Sequence, residues 1–142
     1  MRTETFSLVV ILASMTLFRN APILGGCLFM NILFLCTANV NRSRTAEDFY
    51  RSNSPKHQFK SAGLSQKYCQ KYGTILCTIE LLQWSNKIFV MEDMHVQRIA
   101  EHAGESYLNK IEVLHIDDIY QYMQPELIDK LMSNDKLLFL SS

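Results

Sequence analysis

Cys36 and Arg42 are separated by five residues, with Ser43 directly after the arginine, and these three side chains carry the chain's most suggestive chemistry. A cysteine near an arginine and a helix N-terminus sits where the thiolate, the nucleophilic form, is favoured. Arginine presents a planar fork of donors that matches two oxygens of a phosphoryl group. Ser43 can donate a hydrogen bond to the sulfur, either as attacking thiolate or as departing group. Alone, the C-x5-R spacing would equally describe a buried strand-end thiol followed by a solvated arginine. The flanking sequence favours the phosphate-binding reading.

Ile32 to Leu35 is a short apolar run of the kind a fully buried strand needs. From Ser43 onward the pattern is helical: Ser43 as N-cap, Glu47 in the first turns, and Ala46, Phe49 and Tyr50 as an inner face. The connecting residues Thr37, Ala38, Asn39, Val40 and Asn41 are small or short and polar apart from Val40. Such a loop closing onto a helix N-terminus turns backbone N–H groups toward one point, a nest suited to a tetrahedral dianion. Asn39, in mid-loop, can tie the loop to its surroundings through its amide.

Further along, Ser52 to Lys56 contains Pro55 and reads as a break. Gln58 to Ala62 is a second strand ending at Gly63, and the region from Leu64 to Thr78 is ambiguous. Thr78 is a cap for a helix through Leu81, Leu82 and Trp84, with Trp84 expected in the core. Lys87 to Met91 is a third strand. Asp93 is expected to cap a helix carrying Val96, Ile99, Ala100 and Ala103 and stopped by Gly104. Ile111 to Ile116 makes a fourth strand, and Pro125 opens a last helix through Leu127, Ile128 and Leu131. Alternating strands and helices imply right-handed crossovers: a three-layer α/β fold, four mainly parallel strands with helices on both faces, and the phosphate loop after the first long strand. In such sheets ligands bind at the carboxyl ends of strands, where Cys36 stands.

The chain has 142 residues, enough for one domain with a substantial core. Fourteen basic residues balance 14 acidic ones, which gives no electrostatic case for nucleic acid or an anionic membrane surface. Cys27, Cys36, Cys69 and Cys77 form no C-x-x-C pair and no metal spacing with the four histidines. A reduced, cytoplasmic protein is the expectation. Residues 1–29 fit the rest poorly. Leu8 to Phe18 is apolar, Arg19 and Asn20 interrupt, and Leu24-Gly-Gly-Cys27 has the shape of a lipoprotein cleavage site. Export or membrane anchoring through this segment is one reading. The preferred one takes Met30 as the start of the domain, 30–142, and residues 1–29 as an extension outside it.

The segment from Leu35 through Cys36, Asn39, Arg42 and Ser43 to Glu47 resembles the signature of the low-molecular-weight protein tyrosine phosphatases, most closely their short bacterial branch. The resemblance continues through Lys60 to Leu64, Glu80 to His95, and Tyr120 to Leu127, covering Met30 to about Leu131. It implies hydrolysis of phosphotyrosine or aryl phosphate monoesters through a phosphocysteine, on a phosphorylated protein or a small aryl phosphate, with neither metal nor cofactor. Thr37 to Ser43 would bind the phosphate. An aspartate in the loop after the fourth strand would be the general acid, and Asp117 and Asp118 are both candidates, Asp118 being favoured because an acid recurs there in the short branch. Tyr120 and Tyr122 would line the substrate cleft, or serve as packing. The chain departs from the family at His115 and Gln124, where aspartates are usual, and at Asn41, where a second loop cysteine often stands. His95 and His102 are expected on a helix surface, and Cys69 and Cys77 as incidental thiols. Two alternatives share the loop: a thiol-dependent arsenate reductase and a non-catalytic phosphate-binding module.

Overall fold

The computed structural model describes residues 23–24 and 27–141. Its centre is a sheet of four parallel strands in the order β4-β3-β5-β6, where β3 is Asn31–Cys36, β4 Gln58–Gly63, β5 Lys87–Val90 and β6 Ile111–Val113. Before them, β1 (Ile23–Leu24) and β2 (Cys27–Leu28) form a two-residue antiparallel pair. The remaining part of 1–22 lies outside the described residues, and with it the apolar run read as leader-like. None of the described helices is long and apolar enough to cross a membrane.

The side chains of β3 alternate between two cores, as a strand's period of two requires. Ile32, Phe34 and Cys36 face one cluster, which also holds Ala46 and Tyr50 of α1 (Arg42–Asn53) and Leu127 and Leu131 of α5 (Pro125–Met132). Leu33 and Leu35 face the other, with Leu82 of α3 (Ile79–Trp84) and Ile99 of α4 (Asp93–Ala103). The four apolar residues Ile32 to Leu35 are fully buried because helices cover both faces of their strand. Trp84 is only partly buried at the edge of the second cluster, with the Lys60 ammonium 4.5 Å from its ring centre.

Several boundaries differ from the sequence expectation, each for a local reason. Ser43 is not the N-cap of α1. That position falls to Asn41, and the Ser43 hydroxyl turns to Cys36 instead. Glu92 rather than Asp93 is the N-cap of α4, its N–H donating to Nδ1 of His95 at 3.0 Å. The last strand stops at Val113 because His115 takes a left-handed backbone, φ 58°, although Leu114 and Ile116 still donate to Val90 and Met91. The ambiguous 64–78 region contains α2 (Gln66–Tyr72), capped by the Ser65 hydroxyl and ended by Gly73 at φ 67°. After it the chain returns beside Gly63, which exchanges backbone hydrogen bonds with Ile75 and Cys77.

Candidate active site

The loop between β3 and α1 curls so that Ala38, Val40, Asn41 and Arg42 line one cavity of about 300 Å³ together with the Cys36 sulfur. The N-terminus of the 12-residue helix α1 opens at the same place, which puts its positive dipole end where an anion would sit. Asp118 and Tyr72 complete the lining.

A chain of hydrogen bonds fixes the loop from within. Asn39 is fully buried at φ 57°, a left-handed backbone that asparagine tolerates better than most residues. Its amide nitrogen donates to Ser43 Oγ at 2.8 Å and to Ser61 Oγ at 2.9 Å, and its backbone N–H reaches the Cys36 sulfur at 3.3 Å. Ser61 passes its own hydrogen to the Glu47 carboxylate. Ser43, already accepting from Asn39, can direct its hydrogen to Cys36 Sγ, 3.0 Å away. With the opposite amide orientation, both serines would have to donate to Asn39, so Glu47 would lose the Ser61 hydroxyl and the sulfur the Ser43 hydroxyl. The arrangement leaves Asn39 Oδ1 without a protein partner. Two donors, the Ser43 hydroxyl and the Asn39 N–H, therefore converge on Cys36 Sγ.

Arg42 is 2 % exposed. Its Nη1 donates to the Ile116 carbonyl at 2.8 Å and lies 3.4 Å from Glu92 Oε1, while Nε lies 3.6 Å from Asp118 Oδ1. These contacts come from the carboxyl ends of β5 and β6, so the sheet holds the guanidinium as it holds the thiol. Asp118 is largely exposed and lines the cavity, and Asp117 is exposed outside the cavity lining. Tyr120 is half-buried against the first core cluster, and the Tyr122 hydroxyl donates to Asp48, a bond that raises its pKa. Neither tyrosine lines the cavity.

Three contributors escaped the sequence reading. Glu92 pairs with Arg42. Tyr72, on the unassigned α2, provides an aromatic wall. His95, expected on a surface, is 1 % exposed, and its Nε2 lies 3.0 Å from Thr37 Oγ1 in the loop. Because His95 Nδ1 accepts the Glu92 N–H, the neutral ring carries its hydrogen on Nε2 and donates to Thr37. Burial first, then Arg42 and Arg98, lower the His95 pKa to about 4. The usable signal was positional. Glu92 and His95 open the helix after β5, at the carboxyl end of the sheet where Cys36 stands.

Behind the loop, Gly63 sits where a Cβ would lie 2.7 Å from the Thr37 carbonyl oxygen and 2.5 Å from Cys69 Sγ. Cys69 is 2 % exposed and rests against the Ala38 and Ile75 carbonyls, and burial, with Cys69 adding to it, pushes the Cys77 thiol up to about 12. Among the described residues no group of three His, Cys, Asp or Glu side chains is placed to hold a metal ion.

No family model matches the chain, and no curated protein does. Solved structures do. A low-molecular-weight protein tyrosine phosphatase from T. tengcongensis superposes with a TM-score of 0.55 at 20% identity, over 79% of this chain and 92% of the other. Vibrio vulnificus Wzb in complex with benzylphosphonate gives 0.56 at 18%, over 78% and 91%. The YwlE arginine phosphatase from Geobacillus stearothermophilus gives 0.51 at 20%, over 79% and 88%. The chain thus has the fold of the low-molecular-weight protein tyrosine phosphatases.

Proposed function

We propose that this protein is a cysteine-dependent phosphatase acting on phosphotyrosine or aryl phosphate monoesters through a phosphocysteine intermediate. The observation that carries the reading is the meeting of Cys36 Sγ, Arg42 and the N-terminus of α1 in one cavity, with Ser43 and the Asn39 N–H both on the sulfur. The Cys36 thiolate attacks phosphorus in line while Arg42 and the loop N–H groups hold the equatorial oxygens. Asp118 protonates the leaving oxygen, since a phenolate expelled unprotonated leaves slowly, and its carboxylate then takes a proton from the water that cleaves the phosphocysteine. Ser43 stabilises the sulfur as it departs. Charge on the transferred group is met by the guanidinium and the oriented backbone dipoles.

The test is turnover of para-nitrophenyl phosphate, a phosphotyrosyl peptide and phosphoarginine by wild type and Cys36→Ser. Phosphoarginine belongs in the panel because the fold is shared with an arginine phosphatase. Turnover of the aryl esters by wild type, none by Cys36→Ser, and retained phosphate binding by the variant are expected. Undiminished hydrolysis by Cys36→Ser would exclude the mechanism, and preference for phosphoarginine would move the substrate class.

A further inference from the structure

A second cavity, of about 440 Å³, lies between the start of α2, the start of α3 and the Arg98–Ala103 side of α4, and it shares no lining residue with the cavity over Cys36. Its volume falls in the range of small-molecule sites. The floor is apolar: Leu82 and Ile99 are almost completely buried, and Leu64 and Ala103 pack beside them. Leu76 and Ile79 stand at the mouth, 37% and 41% exposed.

The polar part of the lining has one sign. Arg98 and His102, one turn apart on α4, both border the cavity, and no aspartate or glutamate does. Arg98 is half-buried and forms no ion pair among the described residues. A partly desolvated guanidinium above an apolar floor lacks a counter-ion, and it would gain from an anion carried on an apolar body. A simple oxyanion would leave the floor uncovered, and an apolar ligand would leave Arg98 unpaired.

We propose that this cavity is a binding site for a small apolar carboxylate, aromatic or aliphatic, distinct from the phosphate loop. The ligand's hydrocarbon covers Leu82 and Ile99, and its carboxylate pairs with Arg98 beside His102. The concave shape favours a small molecule over a protein surface, and the reading does not depend on the phosphatase assignment.

Naphthalene-2-carboxylate is a suitable probe, with 2-naphthalenemethanol as its neutral counterpart, followed by titration calorimetry on the full chain. A ligand of this size is expected to bind with a Kd of about 1 mM or tighter. One saturable site is expected, with the carboxylate about tenfold tighter than the alcohol. Arg98→Gln, a conservative change at a half-buried position, should reduce that difference to less than about threefold. Saturating inorganic phosphate should leave the affinity unchanged. Absence of saturable binding, equal affinity for both probes, or competition by phosphate would overturn the proposal. So would sedimentation showing a dimer whose dissociation is needed to open the cavity, which would assign the face to a second copy of the chain.

Discussion

His95 donates from Nε2 to the hydroxyl of Thr37, 3.0 Å away, and so joins the first turn of α4 to the phosphate loop. The neutral ring is required by its other bond, in which Nδ1 accepts the Glu92 N–H and would lose its lone pair on protonation. In the folded protein the ring's pKa is lowered to about 4, from 6.5 in the unfolded chain, mainly by burial and then by Arg42 and Arg98. Above pH 6.5 both states are neutral and the stability is complete. As pH falls from 6.5 toward 4 the unfolded chain binds the proton first, and stability declines by up to the order of 3 kcal/mol. His57, also held below its ordinary value by burial and by Lys56, adds to the slope. Denaturant unfolding between pH 7 and pH 4 should show a clearly flatter decline in His95→Gln than in wild type, and identical slopes would contradict this account.

Asp118, near the Arg42 guanidinium and lining the cavity, is the expected general acid. Asp118→Asn should lower kcat on an aryl phosphate by about 100-fold and remove the limb of the pH–rate profile that reports the protonated donor. Asp117→Asn should remain within about twofold of wild type, because general-acid catalysis needs a donor at the reacting oxygen. Reversal of the two effects would assign the role to Asp117.

Tyr72 lines the cavity over Cys36 with its ring partly exposed. Tyr72→Ala should raise KM for phenyl phosphate about three- to tenfold, the equivalent of one aromatic contact, with kcat little changed. A matching loss for a non-aromatic phosphate ester would show that the ring does not discriminate.

Asn39 combines a left-handed backbone with two buried side-chain hydrogen bonds. Asn39→Ala loses both features, whereas Asn39→Gly keeps the backbone freedom. The glycine variant should be the more stable of the two by about 1 kcal/mol in urea unfolding. Both should lose phosphatase turnover, because the Ser43 hydroxyl loses its fixed partner.

Gly63→Ala drives a methyl against the Thr37 carbonyl and the Cys69 sulfur, and should destabilise by about 1–3 kcal/mol. Adding Cys69→Ala removes the sulfur clash but leaves the carbonyl. Thermal unfolding of the double variant should therefore recover part of the loss. Complete recovery would mean that the loop yields to the methyl.

What was legible in the sequence was what local pattern determines. Ile32 to Leu35 signalled a strand buried on both faces, and Cys36, Arg42 and Ser43 declared the loop, because their relation spans less than three helical turns of chain. His95 was misread because its burial follows from the packing of α4's first turn against the loop, a contact across 58 positions. Tyr72 was missed because α2 is a seven-residue helix with a single buried residue, Cys69, and so shows no amphipathic period. Ile111 to Ile116 looked like one strand since its apolar residues continue past Val113, and the positive φ of His115 leaves no mark on hydropathy.

The bonds running from Glu47 through Ser61, Asn39 and Ser43 to Cys36 are all made before any ligand arrives. The loop is thus preorganised by folding, and on the proposed reading an anion would need little further ordering of it. Glu47 is also held from outside by Arg51, an exposed side chain one helical turn away, so the chain of contacts that ends on the sulfur begins at the protein's outer surface.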